Sequence, residues 1–417
     1  MVQSWTSPSL DPLPASGRPL RLFDSRIGRV APITPLTPGR ARLYVCGITP
    51  YDSTHLGHAS TYHAADLMRR ALHDSGLEVE MAQNITDVDD PLLERADRDG
   101  VDWQELAASQ VELFTGDMAA LRILAPETFR SVSEAMDGII AMVLTLHARG
   151  RAYPVDASDA EGPDWYLDLA MDGALGDVSG WSEQQMLDVF ADRGGDPERE
   201  GKRGPFDPLL WRAERPGEPA WEAGVLGRGR PGWHVECVCI AQDALDLPFD
   251  IQAGGSDLIF PHHDLSAAHS VALGRPFATT YAHSGMVGYE GEKMSKSLGN
   301  LVFVHRLVRD GVDPMAIRLV LMAHHYRSDW EWSAQELELS ASRLASYRTA
   351  ALRGGHYPGT VEALRAALRD DLDTASALDA LDSWAEGRIS ARSDDLAAGP
   401  GDVAAAVDAL FGITLQA

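Results

Sequence analysis

A chain of 417 residues, 45% hydrophobic and 24% charged, has the length for two or three domains and the composition of a soluble globular enzyme. Its formal net charge of −26 argues against a protein that clamps a long phosphate backbone, because that affinity rests on basic faces and counterion release. No run approaches the roughly 18 apolar residues of a membrane span, prolines break the N-terminal stretch, and Cys46, Cys237 and Cys239 are too few and too oddly spaced for a disulfide framework; a cytoplasmic protein with reduced thiols and no membrane contact is expected.

Residues 1–38 are Pro-rich and read as an arm leading into the first domain. "ARLYVCG" (41–47) is a short apolar run ending in a glycine, a buried strand. "HASTYHAADLMRRALHDSG" (58–76) carries apolar residues at helical spacing before a glycine stop, and "EVEMAQNITD" (78–87) returns to strand character. Strand, helix and strand of these lengths predict a βαβ unit opening a parallel, doubly wound sheet.

Amphipathic helices follow between 100 and 150, as in "ELAASQVELFTGDMAAL". From about 151 to 232 the pattern breaks into turn-rich segments such as "DRGGDPEREGKRGPFDP", so an inserted connective region is expected over about 110–232. Apolar runs return in "HVECVCIAQDAL" and "FDIQAGG", and 301–417 is mostly Ala, Leu, Arg and Asp at helical spacing, a helical bundle. The predicted organisation is α/β: an arm (1–38), a Rossmann-like catalytic domain (39–300) and a helical C-terminal domain (301–417).

Two short motifs bear on chemistry. His55 and His58 flank Gly57 where the first strand meets the first helix, a place where backbone N–H groups and the helix dipole favour an anion. On its own the motif also fits two surface histidines near a turn. The second motif is "EKMSKS". The chain has 36 basic residues but only three lysines, Lys202, Lys293 and Lys296, two of them in this loop. A lysine is a compact point charge that can follow a moving triphosphate, whereas arginine favours a fixed fork.

"HLGH" and "KMSKS" together resemble the paired signatures of class I aminoacyl-tRNA synthetases. The blocks "YVCGITPYDSTHLGHA", "NITDVDD", "GRGRPGWHVEC", "GGSDLIFPHHD" and "GEKMSKSLGN", in family order, narrow the resemblance to cysteinyl-tRNA synthetases. The resemblance implies a Rossmann-like class I fold that forms an aminoacyl adenylate from ATP with Mg²⁺. It assigns His55, His58, Lys293 and Lys296 to the triphosphate. It places Cys46, Gly47, Ile48, Thr49, Thr61, Asn84, Ile85, Thr86, Trp233, Gly255, Ser256, Asp257 and Val287 at the cysteinyl adenylate. It also makes Cys46, Cys237 and His262 ligands of one Zn²⁺, a donor set suited to zinc that leaves the fourth position for a substrate thiolate. Cys239 is assigned to packing.

Several positions leave the synthetase pattern. Those enzymes typically read "HHENE", with the last glutamate as a fourth ligand; this chain reads "HHDLS", so Ser266 stands there. Gln252 replaces the histidine of "DIHGGG", and "GPTVYD" has become "GITPYD". Only 120 residues follow Ser297, and 301–417 holds 11 Arg, no Lys and 17 Asp plus Glu, a net charge of −6. That segment is ill suited to gripping tRNA. "CGITPYD" and "DRGGDP" (192–197) instead resemble a branch of the family, the mycothiol cysteine ligases. This branch implies L-cysteine, ATP and glucosaminyl-inositol as substrates, no nucleic-acid partner and a monomer. Asp52, His55, Asp257 and His263 are candidates for a general base toward the acceptor amine; the alternative reading is a cysteinyl-tRNA synthetase.

Overall fold

A computed structural model describes residues 2–10, 13–52, 54–171, 174–294, 299–389 and 402–416. Within the arm, β1 (Arg21–Asp24) and β2 (Arg29–Pro32) form an antiparallel hairpin. Then come β3 (Arg40–Ile48), α1 (Leu56–Asp74), β4 (Glu78–Ile85), α2 (Asp90–Asp99), α3 (Trp103–Ala120), β5 (Thr128–Ser131) and α4 (Val132–Ala148). Short strands β6 (Ala152–Val155), β7 (Asp164–Leu167), β8 (Leu209–Ala213), β9 (Trp221–Glu222) and β10 (Arg228–Pro231), with α5 (Glu183–Phe190) among them, precede α6 (Trp233–Leu245), β11 (Phe249–Gly255), α7 (Asp264–Ala272) and β12 (Ala278–Ser284).

The main sheet runs β12-β11-β3-β4-β5 with every pairing parallel. The first strand in sequence therefore sits at the centre, and the order reverses between β3 and β11. In a doubly wound sheet that switch point opens a crevice beyond the carboxyl ends of the strands, where ligands bind. Alternation along β3 sends successive side chains to opposite faces. Leu43 and Val45 join a core with α1, α3 and the C-terminal helices, while Tyr44 and Cys46 join a second core with α4 and α6. Cys46 thus leaves the strand on the side that α6 covers.

β5 brings α3 and α4 into the layers of this sheet. The separate unit is narrower than the region expected from about 110, a five-stranded antiparallel sheet ordered β6-β7-β8-β10-β9 and confined to Ala152–Pro231. The arm is not a loose leader. Trp5 is buried against Phe114 and Phe129, and Asp24 accepts a hydrogen bond from the Tyr281 N–H of β12 (3.1 Å).

Beyond β12, β13 (Val287–Tyr289) pairs with β14 (Glu292–Lys293) and, in parallel, with β15 (Trp330–Glu331). The remaining elements are helices: α8 (Val304–Arg309), α9 (Pro314–Met322), α10 (Ala334–Leu352), α11 (Pro358–Arg369), α12 (Thr374–Ala385) and α13 (Val403–Phe411). Their starts follow local chemistry. Asp313, Ser333, Asp373 and Asp402 each accept a backbone N–H at the N-terminus of α9, α10, α12 and α13. No described helix is long and apolar enough to cross a membrane.

Candidate active site and metal centre

The carboxyl end of β3 and the start of α1 form the floor of the crevice. His55 is the N-cap of α1, its Nδ1 accepting the Gly57 N–H at 3.1 Å. Its ring stacks on His58, with centroids 3.9 Å apart. A Cβ on residue 57 would lie 2.8 Å from the His55 ring, so the glycine is what lets the two imidazoles stack over the helix end. Gly47 is more constrained still. A Cβ there would fall 1.5 Å from the Asn84 carbonyl oxygen, so any side chain would drive β3 and β4 apart.

Asn84 locks this floor from beneath. Its Oδ1 accepts from the Gly47 N–H (2.8 Å) and the Tyr44 hydroxyl (3.0 Å), and its Nδ2 donates to Thr86 Oγ1 (3.0 Å).

One cavity of about 940 Å³ occupies the crevice. Cys46, Gly47, Ile48, Thr49, His55, His58, Thr61, Trp233, Gly255, Asp257 and Val287 all line it. Asn84, Ile85 and Thr86 do not; they are buried behind the floor and act on the cavity through Gly47 and the β3–β4 pairing. Ser256 is likewise absent from the lining. Lys293 lies on β14, its backbone paired with Gly288, and the next residue, Met294, lines the cavity. Lys296 lies outside the described residues.

Of the three candidate metal ligands only Cys46 lines the cavity; its ligand atom and those of Cys237 and His262, which lie behind the lining, are within 4.8 Å of one another, all three residues buried. They come from β3, the second turn of α6 and the turn before α7. Tetrahedral zinc, with Zn–S near 2.3 Å and Zn–N near 2.0–2.1 Å, holds sulfur and nitrogen ligands roughly 3.5 Å apart. His262 Nε2 is 3.3 Å from Cys237 Sγ, so the donors fit such an ion. Hydrogen bonding with Cys46 and then burial push the Cys237 thiol well above its usual pKa, which is the environment a cation between the sulfurs would reverse.

Outer contacts orient these donors. His262 Nδ1 lies 3.0 Å from His234 Nδ1; the tautomer that leaves His262 Nε2 free for a metal puts a proton on Nδ1 to donate to His234. Burial and then the neighbouring His262 and His269 rings hold His234 well below the usual histidine range, so it is the neutral acceptor this bond requires. The Trp233 ring stacks on His262 at 4.3 Å.

Cys46 Sγ receives Gln252 Nε2 at 3.3 Å and faces His263 Nε2 at 3.3 Å. Behind it a chain runs from His263 Nδ1 to His283 Nε2 (2.7 Å) and from His283 Nδ1 to Ser25 Oγ (2.7 Å). Burial holds His283 down to about 3, so the relay is neutral. Ser266 is buried with its hydroxyl unpartnered.

Of the candidate bases, Asp52 and Asp257 line the cavity with His55, while His263 is buried behind Cys46 and away from the lining. Asp52 is bound to Arg95 at 2.8 Å. Asp89, which the sequence reading did not single out, also lines the cavity; it receives the Thr49 hydroxyl at 3.3 Å, and burial followed by the adjacent Asp90 pushes its carboxyl up to about 6. The opposite wall comes from the antiparallel sheet and the loop after α5, including Tyr166, Asp192, Arg193, Asp196 and Arg212. "DRGGDP" was the one sequence signal for that wall, and it carried no indication of where the loop would dock.

Residues 32–342 match the family described as the tRNA synthetases class I (C) catalytic domain. The chain belongs to that family. Within it, the chain is 80% identical over its full length to the full length of an L-cysteine:1D-myo-inositol 2-amino-2-deoxy-α-D-glucopyranoside ligase from Brachybacterium faecium. It is 52% identical to a protein of the same name from Cellulomonas flavigena, covering 99% of this chain and 100% of that one. Among solved structures it is similar to Mycobacterium tuberculosis methionyl-tRNA synthetase in complex with methionyl-adenylate, with a TM-score of 0.60 over 89% of each chain. At 16% identity this last likeness speaks to the class I fold alone.

Proposed function

We propose that the chain is an ATP-dependent ligase that activates L-cysteine as cysteinyl-AMP and transfers the cysteinyl group to the amine of glucosaminyl-inositol. The observation that carries the reading is a single cavity lined both by the stacked His55–His58 pair and by Cys46, whose sulfur sits within 4.8 Å of the Cys237 and His262 ligand atoms behind the wall. Full-length similarity to ligases so named supports the acceptor.

In the first step a cysteine carboxylate oxygen attacks the α-phosphorus of ATP, the α–β P–O bond breaks and pyrophosphate leaves. The chain's contribution there is positioning and charge neutralisation. His55 and His58 at the α1 N-terminus meet the phosphates, Lys293 and Lys296 follow the departing pyrophosphate, and the Gly47 floor admits the adenylate close to the backbone. In the second step the amine lone pair attacks the acyl carbon, a C–N bond forms, the acyl C–O bond breaks and AMP leaves; the amine proton passes to a base at the cavity wall. Cys46, Cys237 and His262 would hold zinc, which when bound ligates a substrate thiolate and rejects serine's hydroxyl, a discrimination that pocket size alone could not achieve.

The test is incubation of the protein with ATP, cysteine and either glucosaminyl-inositol or tRNA. Amide formation on the sugar, with cysteine-dependent pyrophosphate exchange, is expected. Charging of tRNA without reaction of the sugar would replace this reading with that of a synthetase.

A further inference from the structure

Pockets for a single ligand occupy roughly 300–1,000 Å³. At about 940 Å³ this cavity is at the top of that range, and the residues attributed to the adenylate and zinc account for only part of its wall. The rest is made by three elements outside the parallel sheet: the N-terminus of α2 at Asp89 and Asp90, the inward residues Tyr166, Arg212 and Arg230 of β7, β8 and β10, and the loop 192–196.

That loop is held in place from both sides. Arg193 Nη1 donates to the Asp257 carbonyl at 3.0 Å and to the Phe260 carbonyl, tying the loop to the segment between the adenylate edge and His262. Asp196 accepts the Tyr166 hydroxyl and binds Lys202 Nζ at 2.7 Å; Lys202 spends its other hydrogens on the Asp196 and Pro205 carbonyls. This accounts for the third lysine of the chain as a buried brace. Its side chain is only 2% exposed.

Asp192 differs from its neighbours. It is exposed, lines the cavity, and makes no hydrogen bond or ion pair with another described residue. Elsewhere on the lining Asp90 pairs with Arg230, and Arg212 gives Nη2 to Glu218 (3.2 Å) while its Nη1 meets no partner among the described residues. A rigid wall with an unspent carboxylate and an under-used guanidinium suits a ligand that is cationic at one point and rich in hydroxyls elsewhere. Among the described residues the wall's guanidiniums are engaged within the fold, Arg199, Arg212 and Arg230 with carboxylates and Arg193 with carbonyls, which suits a phosphate chain less.

We propose that this half of the cavity is the acceptor subsite, in which Asp192 and Arg212, on a wall fixed by Arg193, recognise a polyhydroxylated primary amine. The proposal rests on the ligase reading above and adds where the second substrate sits. The brace from Arg193 to the Asp257 and Phe260 carbonyls also keeps the acceptor wall in register with the adenylate edge.

The test uses the full-length enzyme with two readouts: cysteine-dependent ATP–pyrophosphate exchange, which needs no acceptor, and amide formation over a range of glucosaminyl-inositol concentrations. For Asp192→Asn, Asp192→Ala and Arg212→Met, exchange at the wild-type rate and an acceptor KM raised ten-fold or more are expected, with Asp192→Glu restoring most of the loss. An unchanged acceptor KM in all three variants overturns the subsite, as does a parallel fall of exchange and ligation, which would assign this wall to the adenylate. Absence of exchange in the wild-type enzyme overturns the ligase reading itself and the subsite with it.

Discussion

Helix α1, which begins at the histidine pair, is held from behind by a buried charge cluster, and Asp66→Asn tests how much depends on it. Asp66 accepts Arg70 Nε (2.8 Å), the Leu124 N–H (2.9 Å) and Arg318 Nη2, and the side chains of all three charged residues are 0% exposed. Burial opposes ionisation of Asp66, yet Arg70 and Arg318 together hold its carboxyl well below the usual range. Burial lowers Arg318 to about 10, so it remains a cation at neutral pH. The guanidiniums also reach the Asp408, Ala409 and Phe411 carbonyls of α13 and the Leu121 and Arg122 carbonyls beyond α3, so one carboxylate shared by two cations, with five carbonyls around them, holds the joint between these helices. Removing one partner of a buried ion pair costs about 3–5 kcal/mol, because the remaining charge stays in the interior. At about 2 °C per kcal/mol, the low end for larger domains, the expected fall in Tm is roughly 6–10 °C. Differential scanning calorimetry at one fixed scan rate measures it. A fall of less than about 2 °C would refute the assignment of this cluster as the joint between α1 and the C-terminal helices.

Cys46→Ala, Cys237→Ala and His262→Ala are each expected to take bound zinc from about one per chain to near zero, together with cysteine activation. Metal analysis alone checks the first half, and Ser266→Ala should leave the zinc in place. Lys293→Arg and Lys296→Arg conserve charge but exchange a mobile point charge for a fork; pyrophosphate exchange slowed roughly ten-fold, about 1.4 kcal/mol, with cysteine affinity unaltered, is the expected pattern. Wild-type exchange in both would remove the clamp from the mechanism. Asp117, buried on α3 and 3.5 Å from His305 Nδ1, is pushed up to about 7 by burial, so its favourable contribution is present below about pH 4 and is lost as pH rises through 7. Asp117→Asn should therefore gain stability relative to wild type between pH 5 and 8, read as the difference in Tm at the two values; a constant difference would show that the carboxyl does not titrate there.

How much of this could be read beforehand depended on length and locality. β3, α1 and β4 were legible because each is long enough to display its period, and their order implied a parallel sheet. β5 has only four residues, "TFRS", directly after a proline-bearing loop, and pairing with β4 rather than any local preference makes it a strand. The antiparallel sheet escaped for the same reason, its strands being two to five residues long and separated by Gly- and Pro-rich turns. At the site, Cys46, Cys237 and His262 stand far apart in the chain, and only the order of the family's blocks could bring them together. The supports around them were not accessible in that way: that Ser25 of the arm ends a relay through His283 and His263 to Cys46 is a consequence of where the hairpin packs on β12.

The C-terminal helices show why charge alone understated the argument against tRNA. A net of −6 over 301–417 still leaves 11 arginines that could, if grouped, hold a phosphate backbone. Most of those in the described residues are engaged within the fold. Arg318 is buried in the α1 joint, Arg365 reaches Asp74 at 3.0 Å at the end of the same helix, and Arg327, Arg343 and Arg348 bind Asp371, Asp382 and Asp313. Arg353 caps the Trp384 and Ala385 carbonyls at the end of α12. Some other pairs, such as Arg309 with Asp310, are exposed and weak and could be given up cheaply. The pairs of Arg318, Arg365 and Arg327 could not, because each release would strand the buried carboxylate of Asp66, Asp74 or Asp371 inside the fold. Most of the described guanidiniums of the bundle are therefore spent on its own helices and on α1, with Arg306, Arg309 and Arg388 left at the surface. Its physical role is to hold the helix that presents His55 and His58, and that role would persist in an enzyme whose acceptor is a small sugar amine.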